Sequence, residues 1–284
     1  GMTLPAFADT WFIEDGNISI SAGTNGNNVT QNGTTTENDT NTVIKGNGSS
    51  NASSNTVTID AGEGKTVDVT LDNVNINTSE TGGAAVSVTG KGDTNIELDG
   101  NNTLTSGYYH AGLEHNKTDD SGTLTITDNN NDGKLTANGG YKGAGIGGGS
   151  SGLGNVSIEG NVTIKNAQGG VGAAGIGGGA RGTSDAAGNG NKISIKSTAA
   201  GSPNITAKGG KASDDGLSGG AAIGSGSVVA GATEVKSDIT IEGKVTINAT
   251  GGGNVAIDVA RTAQRCGAES VAMFCLEPRD KMPA

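Results

Sequence analysis

The sequence predicts an all-β fold, a single parallel solenoid, and three observations predict it. Its 284 residues include 52 glycines and only 2% aromatic side chains, so the core has to be thin and repetitive rather than built from large side chains. Many short segments alternate apolar with polar residues, the period of two that marks half-buried strands. A small-residue motif recurs between them at intervals of 27 to 47 residues, the range of stacked repeats.

The strand segments are "NISI" (17–20), "NTVTID" (55–60), "TVDVTLDNVNI" (66–76), "TNIELDG" (94–100), "GTLTIT" (122–127), "NVSIEGNVTIKN" (155–166), "KISIKS" (192–197) and "DITIEGKVTINAT" (238–250). They are rich in Val, Ile and Thr, which suit a pleated surface. Their regular alternation argues against the disorder that a polar Gly/Ser/Asn composition alone would suggest.

The recurring motif reads "AAV" at 84–86, "AGL" at 111–113, "AGIGGG" at 144–149 and 174–179, and "AAIGSG" at 221–226. Between Val86, Leu113, Ile146, Ile176 and Ile223 the steps are 27, 33, 30 and 47 residues. Each coil is expected to bury one Ile, Val or Leu per strand. With coils about 4.8 Å apart, on the order of eight to ten of them would form the rod. The longest step predicts an outward loop, around either "ARGTSDAAGNGNK" or "SPNITAKGGKASDDGLSGG".

Glycine in "GAGIGGG" permits positive φ at corners and lets turns stack where a Cβ would crowd. A phosphate-cradling loop would need a following Lys-Ser/Thr and a helix. A Ca²⁺-binding glycine-rich nonapeptide would need Asp within the repeat, and neither feature is present.

Strand pairs followed by "GAGIGGG" resemble the secreted right-handed parallel β-helix proteins of gut and other anaerobic bacteria, including families described as carbohydrate-binding-domain-like. The resemblance spans roughly residues 10–250. It implies a single right-handed parallel β-helix, secreted or at the cell surface, with non-enzymatic glycan binding or adhesion as its role and a polysaccharide or surface glycan as partner. The alternative on such a fold is a polysaccharide lyase or glycoside hydrolase.

Charge and termini add to this. A net charge of −11 argues against nucleic acid and against anionic membrane surfaces, both of which need clustered Lys and Arg. Residues 1–9 read as a tag scar at Gly1 followed by a secretory cleavage pattern, Ala6-Phe7-Ala8, so export is the expected route. No run of 18 apolar residues occurs, so no transmembrane segment is expected, and a monomer is. Residues 1–250 contain no cysteine, leaving stacking to hold the solenoid.

Catalytic chemistry is thinly represented. Arg181 is the only arginine before the tail, and no Asp triplet recurs at coil spacing. His110 and His115 are an odd number of residues apart, which would put them on opposite faces of a strand, and both read as surface polar residues. In "DNNNDG" (128–133), Asp128, Asn130 and Asp132 hold positions one, three and five of an oxygen-rich Ca²⁺ loop, with Gly133 at six. Position twelve is Gly139 rather than Glu, and an Asn/Asp/Gly turn accounts for the same residues. Ca²⁺ is the one candidate cofactor.

The tyrosines are more specific. Tyr108 lies three residues before Ala111, and Tyr141 three before Ala144, so the two occupy equivalent positions in successive repeats. With Tyr109, His110 and Glu114 beside them they form a candidate ligand-binding set, since rings with a polar handle suit sugar faces. An aromatic ladder that only stabilises the stack fits the same spacing.

The tail, 251–284, differs in texture. "GGGNVAIDVARTAQRCGAESVAMFCLEPRDKMPA" resembles the second dinucleotide-binding fold of flavin- and NAD(P)-dependent oxidoreductases of the glutamate-synthase small-subunit type. Gly251, Gly253 and Ala256 match G-x-G-x-x-A, a helix is expected from about Asn254 to Cys266, "SVAMFCLE" is the next strand, and Glu277 falls where an acidic residue would hold a ribose hydroxyl. One strand–helix–strand lacks the rest of a cofactor site. The tail therefore reads as a foreign fragment whose amphipathic helix is able to cover the last coil.

Overall fold

The computed structural model describes residues 9–183, 189–228, 235–251 and 272–275. The Ala6-Phe7-Ala8 pattern, the expected tail helix, Gly253, Ala256 and Glu277 lie outside the described residues.

The fold is all-β. Among the described residues the strands form three sheets of eight, seven and nine strands, in which every pairing is parallel except for one N-terminal antiparallel extension. From Thr66–Asp72 onward the chain visits the sheets in fixed rotation. Thr66–Asp72 enters the first sheet, Asn75–Asn77 the second and Val86–Thr89 the third, and the next strand, Asp93–Asp99, returns to the first beside its predecessor. The rotation repeats until Ser237–Glu242 and Thr246–Gly251. Each circuit thus lays one strand on each sheet.

Register puts like on like. In the third sheet Ile18, Val57, Val86, Leu113, Ile146, Ile176 and Ile223 form one continuous row, all buried. In the first sheet Val69, Ile96, Ile126, Ile158, Ile195 and Ile241 do the same. Each such side chain withdrawn from water contributes about 1.5–3 kcal/mol before entropy is counted. In the second sheet a buried row of large residues, Leu135, Ile164, Ile205 and Ile247, runs beside a buried row of small ones, Ala137, Ala167, Ala207 and Ala249.

The 47-residue step is divided between two excursions, one after Ile176–Gly177 and one between Asn204–Lys208 and Ile223–Gly224. Glycine is required where circuits touch. A Cβ on Gly147 would sit 2.1 Å from the Gly177 carbonyl oxygen, and one on Gly177 2.0 Å from that of Gly224. Both glycines also hold φ near +130° (128° and 131°).

The first circuits differ from the rest. Ile18–Ala22 pairs antiparallel with Asn27–Gln31, which pairs antiparallel with Thr34–Asp39, so a two-strand extension forms that edge of the third sheet. At the other end, Ala272–Cys275 pairs in parallel with Asn248–Gly251 and extends the second sheet by one strand. Among the described residues no helix is long and apolar enough to cross a membrane.

Candidate functional site

Four successive circuits reach the third sheet through a residue in left-handed backbone, four positions before the row Val86, Leu113, Ile146 and Ile176. These are Gly82 (φ 78°), Tyr109 (φ 70°), Lys142 (φ 68°) and Gly172 (φ 73°). Glycine adopts this conformation at no steric cost, whereas a side chain there is disfavoured. The two middle circuits nevertheless carry Tyr and Lys, and they are the circuits that bring the tyrosines together.

Tyr108, Tyr109 and Tyr141 form a triangle with ring centroids 6.0, 5.7 and 6.1 Å apart and interplanar angles of 52–66°. These tilted contacts suit the ring quadrupoles better than face-to-face stacking. Tyr108 and Tyr109 remain 65% and 52% exposed, so packing uses only part of each ring. The backbone locks the arrangement, because Tyr109 N–H donates to the Tyr141 carbonyl at 2.8 Å. The Tyr108–Tyr141 equivalence seen in the spacing is therefore a physical contact at 5.7 Å.

Lys142 Nζ lies 4.9 Å from the Tyr141 ring centroid and 5.9 Å from that of Tyr109. The Tyr141 hydroxyl donates to Asp215 Oδ2 at 3.2 Å across 74 residues of sequence, and the Ser213 hydroxyl donates to Asp215 Oδ1. Ser213, then the Tyr141 bond and the Lys142 charge, hold the Asp215 carboxyl below its ordinary value against partial desolvation. Desolvation first, and then the Asp215 charge, push the Tyr141 phenol up, while Arg181 pulls it the other way. Spacing gave no sign of Lys142, Asp215 or Arg181. For Lys142 the alignment of "GYYHAGL" with "GYKGAGI", which places it opposite Tyr109, was available.

His110 and Glu114 sit beside the triangle. Glu114 is buried, and its carboxylate accepts from the Ala111 N–H at 2.9 Å while lying 3.0 and 3.2 Å from His110 Nδ1. That contact orients the partly exposed imidazole and directs Nε2 away from the carboxylate. Gly149 makes room for it, since a Cβ there would fall 2.6 Å from Glu114 Oε2 and 2.7 Å from the Tyr109 carbonyl oxygen. His115 departs from the surface reading given to the two histidines, whereas His110 stays partly exposed. His115 is buried, with Nδ1 2.9 Å from the Val88 oxygen and Nε2 2.6 Å from the Gly122 oxygen.

The candidate calcium loop has a different internal logic. Asp128 is buried, with Oδ1 accepting the Asn131 and Asp132 N–H groups at 2.7 and 3.3 Å and Oδ2 accepting Gly133 N–H at 2.9 Å. That is a turn closed by its own aspartate. Asn130 turns to Asp99 Oδ1 at 3.0 Å. The exposed Asp132 has its carboxyl raised by desolvation first, then by the charges of Asp99, Asp128 and Asp72. Among the described residues no three His, Cys, Asp or Glu side chains gather as metal ligands.

No protein-family model, curated protein or solved structure matches this chain.

Surface depressions of about 410, 330 and 470 Å³ are lined by residues other than the tyrosines, mostly Thr, Asn, Gly and Asp of the N-terminal circuits and the first and second sheets. An exposed aromatic surface with a fixed imidazole, an ammonium and a carboxylate at its margin is suited to laying a flat, hydroxylated ring against it.

Proposed function

We propose that this chain is a right-handed parallel β-helix, secreted or displayed at the cell surface, that works as a non-enzymatic glycan-binding or adhesion module. The observation that carries the reading is the triangle of Tyr108, Tyr109 and Tyr141, of which the residues Tyr108 and Tyr109 stay more than half exposed. A ladder needed only for packing would bury its rings between circuits. Here Tyr faces meet solvent beside polar groups that fix direction, namely His110 Nε2, oriented by Glu114, and the Asp215 carboxylate.

The rotation of strands through three parallel sheets supports the β-helix reading, and the right hand is the usual one for parallel strands joined by crossovers. The net charge of −11 argues for a glycan over nucleic acid. The tail is read as a fused fragment that covers an exposed sheet edge, which fits the pairing of Ala272–Cys275 with Asn248–Gly251. The test is a glycan array probed with the intact protein. Retention of a sugar class supports the reading, and an array with no retained glycan opposes it.

A further inference from the structure

We propose that the glycan this patch takes is acidic, carrying a carboxylate on its sugar ring, and that Lys142 is the residue that selects it. The inference rests on the glycan-binding reading and narrows it to a class.

The charges at the patch are not equally provided for. The Glu114 carboxylate is held by His110 Nδ1 and the Ala111 N–H, and the Asp215 carboxylate accepts from the Ser213 and Tyr141 hydroxyls. Both anions are thus satisfied by donors within the protein. Lys142 acts on the Asp215 carboxylate through its charge but makes no direct bond to it. Among the described residues no carboxylate lies within ion-pair distance of its Nζ, which instead rests against two tyrosine rings. A ring face attracts an ammonium through its quadrupole but leaves the N–H donors on the far side free for a ligand.

The backbone gives an independent indication. At this position Gly82 and Gly172 adopt the left-handed conformation without a side chain, and Lys142 adopts it with one, at φ 68°. A lysine kept where glycine is the low-strain choice is more readily explained by its ammonium than by packing. A pyranose laid on the tyrosine faces with its carboxylate toward Lys142 Nζ would form a charge-assisted hydrogen bond. The chain's net charge of −11 does not prevent this. At physiological salt the Debye length is about 8 Å, so charges elsewhere on the molecule are largely screened at the patch.

Titration calorimetry with a soluble polyuronate and with the same polymer after its carboxyls are reduced to alcohols tests this. The expected result is binding of the polyuronate about tenfold tighter or more, with K142Q and K142G both removing that preference. Lys142→Gly introduces no strain, so a loss seen in both variants is not a folding artefact. Equal affinity for the two polymers, or a preference that survives in both variants, overturns the acidic-glycan inference and leaves the glycan reading standing. No binding of either polymer likewise overturns the acidic-glycan inference, while the glycan reading itself is decided by the array.

Discussion

Tyr109 and Lys142 stand at the same position of successive circuits, both in left-handed backbone at φ 70° and 68°, with the Lys142 ammonium 5.9 Å from the Tyr109 ring centroid. A left-handed conformation costs an L-residue about 1–2 kcal/mol, while glycine pays more in unfolded-state entropy, about 0.5–1 kcal/mol. Lys142→Gly is therefore expected to leave stability unchanged or raise it by up to about 1 kcal/mol in urea denaturation. A loss above about 2 kcal/mol would make Lys142 a structural residue and remove the backbone argument for its ligand role.

The two histidines, five residues apart, should behave oppositely. Replacing buried His115 with Leu removes a ring whose N–H donates to a backbone oxygen, Val88 or Gly122, at an expected cost of about 1–3 kcal/mol. His110→Gln removes a partly exposed ring and should cost less than about 1 kcal/mol. Equal costs in the same denaturation series would contradict this assignment.

Asp132 gives a pH signature. Its carboxyl is raised in the folded state above the ordinary 3.8, so the folded protein holds that proton more tightly than the unfolded chain. Ionised Asp132 therefore opposes folding at neutral pH, and the penalty is relieved as pH falls through its raised value toward 3.8. Asp132→Asn should raise the melting temperature at pH 7, with the gain shrinking in the acidic carboxylate range. Millimolar Ca²⁺ should leave the wild-type melting temperature unchanged, because both Asp128 oxygens already accept backbone N–H groups. A Ca²⁺-dependent rise that Asp132→Asn abolishes would put a cation in the loop.

Much of this architecture was legible because it is periodic. Val86, Leu113, Ile146, Ile176 and Ile223 line up in register as their spacing suggests, since only one large apolar residue per repeat follows the paired small residues. The Tyr108–Tyr141 contact was legible for the same reason. What breaks the repeat was not. The antiparallel extension runs through "NNVTQ" and "TTTEND", polar strands with little apolar alternation, and its turn is signalled only by Asn32-Gly33, both at positive φ. Asp215 reaches Tyr141 from an irregular excursion, where spacing carries no information. His115 is polar yet buried, with a backbone oxygen beside each ring nitrogen so that its N–H has a partner, and residue polarity alone does not reveal that.

The tail should fail as a cofactor site and matter as an edge. Titration with NAD, NADH, NADP or NADPH is expected to give no binding tighter than about millimolar. Deleting 252–284 removes the strand paired with Asn248–Gly251 and leaves that edge open, so lower solubility or a lower melting temperature should follow, with ligand binding by the middle circuits unchanged. Micromolar nucleotide binding lost on mutating Gly253 would instead require a second functional module.

The most direct test concerns the tyrosines themselves. The double variant Y108A/Y141A removes two of the three rings and leaves the strand registers untouched. Titrated with the best glycan from the array, it should bind about tenfold more weakly or not at all, while its circular dichroism matches the wild type and its melting temperature drops only modestly. Undiminished binding by the folded double variant would contradict the account and put the site on another face of the molecule.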